Sequence, residues 1–114
     1  FCGPTEGSVF IRDCKDCVIV VACQQLRLRD CENVTLVLYV KGQPIIETSS
    51  NITFSCFTYF YPSLLTQFKL ANLPISDNEW WNIYDFSPTF KDQGKNISIL
   101  YVGPIYNYNL LYLL

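Results

Sequence analysis

Two groups of side chains in this sequence could do chemistry: the thiols between Cys14 and Cys31, and the arginines of the segment ACQQLRLRDC (22–31). Cys14-x-x-Cys17 has the spacing of a redox dithiol or of half a zinc site. A redox pair needs a helix directly after it, because the helix N-terminus lowers the thiol pKa. Here VIVVA follows, which is strand-forming chain. Zinc would have to be held by Cys14, Cys17, Cys23 and Cys31, with two, five and seven residues between successive members and apolar strand separating them. That spacing contains no second knuckle. The thiols read as mostly buried, reduced and structural, with no metal site. The arginine segment is different in kind. Leu26 and Leu28 alternate with Gln25, Arg27 and Arg29, so a strand would turn the leucines to the core and the polar side chains to solvent. All three arginines of the chain, Arg12, Arg27 and Arg29, lie in its first 29 residues. The pattern alone fits a solvated strand face with ordinary surface arginines as well as a binding strip.

Composition narrows the chemistry further. The chain has 114 residues, enough for one core and too few for two, so a single domain is expected over 1–114. Half of it is hydrophobic and 16% aromatic, which excludes a disordered tail. Eight Lys plus Arg against ten Asp plus Glu give a net charge of −2. No basic field is available to hold nucleic acid or an anionic membrane by charge alone. Histidine is absent, which removes imidazole acid–base catalysis, His-containing metal sites and every triad built on an imidazole.

The chain opens at Phe1 without Met, so it reads as a fragment or a processed product. The most apolar stretch, from Ile97 to Leu114, is interrupted by Gly103, Pro104, Asn107 and Asn109 and makes a poor membrane span. Its role is left open. Six cysteines and three N-x-S/T sequons, at Asn33, Asn51 and Asn96, keep a secreted, disulfide-stapled domain as an alternative. The sequons fall inside apolar strand-like runs, whereas glycosylation favours exposed loops.

The elements that must position these residues come from a repeat. IRDCKDCVI (11–19), LRDCENVTL (28–36) and IETSSNITF (46–54) superpose at offsets of 17 and 18 residues. Ile11, Leu28 and Ile46 fall in register, as do Arg12, Arg29 and Glu47; Cys14, Cys31 and Ser49; Asp16, Asn33 and Asn51; and Cys17, Val34 and Ile52. A period this short suits one coil of a parallel β-helix, in which equivalent residues stack about 4.8 Å apart. The fold expected is all-β, a right-handed parallel β-helix of 17–18-residue coils. The register sets Arg29 beside Glu47, so a cross-coil ion pair is expected there, leaving Arg27 free to project.

Beyond residue 56 the pattern changes. Pro62 followed by Leu64, Leu65, Phe68 and Leu70 predicts a short helix within 62–71. EWWNIYDF (79–86) returns to strand-like chain, and its Asn82-Ile83 pair echoes Asn33-Val34 and Asn51-Ile52, suggesting a further coil. The aromatic runs Phe57–Tyr61 and Trp80-Trp81 should each bury one neighbour and expose the other, a weak sign of a contact surface.

The blocks FCGPTEGSVFIRDCKDC, ACQQLRLRDC, QPIIETSSNITF, YPSLLTQFK and WWNIYDFSP, in this order over residues 2–90, resemble the cofactor C-like (C-CAP/TBCC) domain family of the retinitis pigmentosa 2 protein and tubulin-folding cofactor C, with the former the nearer. Cyclase-associated protein is a more distant branch. The resemblance implies a parallel β-helix and a GTPase-activating role toward an Arf-like small GTPase or tubulin. It implies that the arginine of Gln24-Gln25-Leu26-Arg27 is a finger inserted into the partner's nucleotide site. It carries a supporting role to Gln24 and to Glu47, the acidic residue of QPIIE, and a docking role to Gln25, Arg29, Asp85 and Phe86. The actin-binding branch lacks the finger, so Arg27 argues against it.

Phosphoryl transfer builds negative charge that a planar guanidinium meets with two parallel hydrogen bonds. GTP and Mg²⁺ would be carried by the partner, so no cofactor is expected in this chain, and no hydrolytic site of its own. The resemblance places the protein in the cytoplasm, at the cilium or basal body or the inner face of the plasma membrane, with any membrane contact made through segments outside this sequence. The alternative on the same scaffold is a non-catalytic adaptor that binds a GTPase or a cytoskeletal protein.

Overall fold

The computed structural model describes residues 1–86 and, by its backbone, the strand at 97–100. The strands are β1 (Cys2–Arg12), β2 (Lys15–Arg29), β3 (Glu32–Val40), β4 (Ile45–Glu47), β5 (Ser50–Cys56), β6 (Tyr84–Asp85) and β7 (Ile97–Leu100). Every pairing among them is parallel. The chain winds as a β-solenoid of about three turns, as the repeat predicts. β2 serves both sides of the coil. Its first part, Lys15–Cys23, pairs with β3, and its last part, Arg27–Arg29, pairs with β4. One face therefore runs β2, β3, β5, β7, and the other runs β1, β2, β4, β6.

The repeat register is the pairing register. Ile11 lies against Leu28 and Leu28 against Ile46; Cys17 lies against Val34 and Val34 against Ile52. Each of these rows points inward, so Leu26, Leu28, Leu36, Leu38, Ile46, Ile52 and Phe54 form a fully buried column along the coil axis. Stacking is what makes a short repeat foldable, because no single coil can bury its own apolar side.

The corners explain the charged and small residues between the strands. Asp13, Asp30 and Thr48 have φ of 54°, 53° and 45°, and three residues further on Asp16, Asn33 and Asn51 have φ of 53°, 53° and 54°. Left-handed backbone is costly for most side chains and least so for Asn and Asp. The second set forms a ladder. Asn33 Nδ2 donates to Asp16 Oδ1 at 2.8 Å, and Asn51 Nδ2 donates to Asn33 Oδ1 at 2.9 Å. Between the two sets, the Cys31 N–H donates to Ser49 Oγ at 3.1 Å.

The continuous apolar run VIVVA is buried on both faces. Val21 and Cys23 point into the coil, while Val20 and Ala22 point outward beneath a second cluster. That cluster is supplied by the excursion between β5 and β6. Within it, α1 (Leu64–Leu70) sets Leu64 and Phe68 onto Tyr39 and Phe57. Phe68 meets both rings edge-on, with centroids 5.0 and 5.7 Å away. The Tyr39 hydroxyl donates to the Pro74 carbonyl, which fastens the end of the excursion. A 3₁₀ turn at Ile75–Asp77 follows.

Four expectations need correction. All six thiols are free, but only Cys23 and Cys31 are buried; Cys14, Cys17 and Cys56 are half-buried and Cys2 is exposed. Cys14 and Cys17 lie at a corner, and Cys2 opens the first strand, where neighbouring chain covers less of the side chain. Asn82-Ile83 does not continue the amide ladder. Asn82 instead accepts a hydrogen bond from Gln43 and donates to Glu79, and it is Ile97 that pairs with Ile52. Only Tyr84–Asp85 of the run 79–86 is strand, because Glu79–Ile83 closes the excursion. Arg29 does not pair with Glu47; its Nε lies 3.6 Å from Asp30 Oδ2 instead. Trp80 packs on the core and Trp81 is exposed, as the aromatic pair predicts. Of the tail at 97–114, everything but the β7 backbone lies outside the described residues, as does Asn96.

Candidate functional site: an arginine strip on the second face

Each outward position on β2 has neighbours fixed by the strands above and below. Arg27 pairs with Phe10 on β1 and with Ile45 on β4, and Ile45 pairs with Tyr84 on β6. Two residues along, Arg29 pairs with Arg12 and Glu47. The row between these two is Ile11, Leu28 and Ile46, which anchors the strip from inside. Asp85 continues that middle row, and the Phe86 N–H donates to the Ile46 carbonyl at 2.6 Å, holding Phe86 beside Glu47. Polar and aromatic side chains scattered over 77 residues of sequence, from Phe10 to Phe86, thus share one surface.

That surface is concave. Arg27, Arg29 and Glu47 line a cavity of about 300 Å³ whose remaining walls include Phe10, Ile45, Tyr84 and Phe86. A second hollow of about 340 Å³, lined by Ser8, Val9 and Gln25, shares Arg27 and Phe10 with the first. Arg27 and Phe10 are therefore the ridge between two depressions.

The three arginines differ in how they are held. Arg29 is paired with Asp30, but both side chains are 45% exposed and such a pair contributes little stability. The Arg12 guanidinium sits 5.2 Å above the Phe10 ring centroid, a cation–π arrangement. Arg27 is exposed and its guanidinium has no ion pair or hydrogen bond among the described residues. A planar cation so placed on a paired strand can meet an oxyanion brought by another molecule.

The structure brings together Arg27, Arg29, Glu47 and Phe86 of the residues singled out from sequence, with Gln25 on the adjoining hollow. Asp85 lies between the two exposed rings of Tyr84 and Phe86, its backbone on Ile46. Gln24 is half-buried at the bend of β2, where its carbonyl accepts the Gly42 N–H at 2.9 Å, and it lines neither hollow. Sequence reading missed Phe10 and Tyr84. The signal was present: Phe10, Arg27 and Ile45 each stand one position before the aligned Ile11, Leu28 and Ile46. No comparable alignment had been drawn for Tyr84-Asp85-Phe86 against Ile45-Ile46-Glu47.

The thiols add no chemistry to this face. Burial pushes the Cys23 thiol up to about 12 and raises Cys31 as well, which suppresses the thiolate that reaction or metal binding requires. Among the described residues, no group of three or more Cys, Asp or Glu side chains is placed to hold a metal ion.

A parallel β-helix with an exposed, aromatic-walled arginine strip on one face defines the class of scaffold. The model of the tubulin binding cofactor C family matches residues 1–86. The chain belongs to that family. It is 57% identical over 69 residues to protein XRP2 of Xenopus laevis, covering 60% of this chain and 20% of the relative. Against human protein XRP2 the identity is 54% over 68 residues, covering 60% of this chain and 19% of the relative. Human tubulin-specific chaperone C is 40% identical over 100 residues, covering 87% of this chain and 29% of the relative. The chain thus spans less than a third of the length of these relatives.

Proposed function

We propose that this chain is a GTPase-activating domain that supplies Arg27 in trans to the nucleotide site of a GTP-bound Arf-like small GTPase, with tubulin as a second target. The observation that carries the reading is the state of Arg27: exposed, unpartnered among the described residues, and fixed on a strand whose neighbours are set by register. A finger must leave its own protein without breaking internal contacts, and Arg27 has none to break. Arg29 and Arg12, each already held, are less suited. Glu47 and Gln24 support the finger, while Gln25, Arg29, Asp85 and Phe86 dock the partner. GTP and Mg²⁺ come with the partner, so this chain needs no cofactor. The protein would act in the cytoplasm, where GTP-loaded partners are found, including the cilium base and the inner face of the plasma membrane.

The gain available is large. An arginine finger in trans is worth about 10³ to 10⁵ in rate, or roughly 4 to 7 kcal/mol of barrier. The test is single-turnover GTP hydrolysis by an Arf-like GTPase with and without this domain. We expect acceleration of about a hundredfold or more that is abolished in Arg27→Ala. Arg27→Lys keeps the charge and loses the fork, so binding should persist while activation collapses. Tight binding to the GTP form with no acceleration by the unaltered domain would leave a non-catalytic adaptor on the same scaffold.

A further inference from the structure

We infer that Phe10 and Tyr84 are docking residues that grip an apolar rim around the partner's nucleotide site, one on each side of Arg27. The inference rests on the GTPase reading above and adds the chemistry of the surface that the partner must present.

The placement follows from the fold. Phe10, Arg27, Ile45 and Tyr84 occupy one row across four adjacent parallel strands, all on the outward side. At roughly 4.8 Å per strand the two rings stand about 14 Å apart with the guanidinium between them. Both are large and exposed, Phe10 at 51% and Tyr84 at 46%. Neither ring packs into the core of its own coil, so the fold gains little from leaving them in water. Exposed aromatics of this kind, around a charged centre, are typical of binding hot spots from which water is excluded on docking.

Their neighbours strengthen the case. The Arg12 guanidinium lies over Phe10, which supports the ring and adds positive charge to its outer side. Tyr84 lies beside Phe86, with ring centroids 5.7 Å apart, so the far wall is a pair of rings rather than one. Phe10 also shares both hollows with Arg27. A partner that inserts its phosphate-bearing site over Arg27 cannot avoid touching these rings. The surface it offers must carry apolar side chains near the nucleotide mouth and acidic ones facing Arg12 and Arg29. Excluding water there would also strengthen the interaction of Arg27 with phosphate, since screening falls with local polarity.

The experiment is the same single-turnover assay, run over a range of domain concentrations to separate the half-saturating concentration from the maximal rate. Phe10→Ala and Tyr84→Ala should each raise the half-saturating concentration about tenfold and keep the maximal rate within about twofold. Tyr84→Phe should stay near the unaltered domain, because the ring and not the hydroxyl makes the contact. Val18→Ala, on the other face, is the control for handling and should change neither quantity. Unchanged half-saturation in both alanine variants overturns the inference, and so does a fall in maximal rate alone. If the unaltered domain neither binds nor accelerates the GTPase, the GTPase reading itself falls and takes this inference with it. Circular dichroism of each variant separates loss of docking from loss of fold.

Discussion

The side-chain amide of Asn51 donates a hydrogen bond to Asn33 at 2.9 Å, although 18 residues separate the two in sequence. Both residues have left-handed backbone, and Asn33 passes the ladder on to Asp16. One residue type thus meets two demands, a positive φ at the corner and a hydrogen bond along the coil axis.

These two demands separate by substitution. Asn33→Ala keeps neither and should cost about 2 kcal/mol, from left-handed strain and two lost hydrogen bonds at an exposed position. Asn33→Gly tolerates the backbone and loses only the bonds, so it should be the milder change. Urea unfolding of the two variants checks this. Equal destabilisation would mean that the corner backbone carries no strain.

The excursion is fastened chiefly by rings. Phe68 is 5% exposed and edge-on to Tyr39 and Phe57. Phe68→Ala should destabilise by about 3 to 5 kcal/mol, and Phe68→Leu by less than about half of that. A thermal melt that barely moves in Phe68→Ala would show that α1 does not fold together with the coil.

Alkaline pH should weaken the fold. An unfolded chain releases the Cys23 proton near 9.0, whereas burial holds it to about 12 in the folded state. Tyr39 behaves alike, moving from 10.0 to about 12 for the same reason. Between these values the unfolded state binds fewer protons, so stability falls as pH rises from about 9 toward 12. The limiting slope is about 1.4 kcal/mol per pH unit for each such group. Urea midpoints at pH 8, 9, 10 and 11 would trace it, and Cys23→Val should flatten the curve. In the native state at pH 8, a thiol reagent should label Cys2 first and Cys23 last.

Glu47 lies beside Arg29 in register but without an ion pair to it. Glu47→Gln should therefore shift unfolding free energy by no more than about 0.5 kcal/mol. On the proposed function it should nevertheless reduce GTPase activation. A large loss of stability would mean instead that Glu47 has a structural role that the ion-pair geometry does not disclose.

Much of the coil was legible in the sequence because its constraints are local and periodic. A repeat of 17 to 18 residues fixes which side chains stack, so the rows Ile11–Leu28–Ile46 and Asp16–Asn33–Asn51 could be written down before any coordinate. The alternation around Arg27 likewise decides that it faces solvent while Leu26 and Leu28 do not. The short helix followed from Pro62 and the spacing of Leu64 and Phe68.

What only the tertiary structure decided lies where the repeat breaks. The excursion from Phe57 to Ile83 brings chain back to the arginine face at Tyr84, and no periodicity foretold where that return would land. It set Tyr84 rather than Asn82 on the ladder of β4 and completed the cavity wall with Phe86. The partner of Arg29 was also undecided by register. Adjacent strands bring Arg12 and Glu47 equally near, but side-chain rotamers settle which charge is met, and Asp30 at the corner is the one Arg29 reaches. Sequence fixes neighbours wherever the backbone repeats; geometry decides among them wherever a flexible side chain or an irregular loop has a choice.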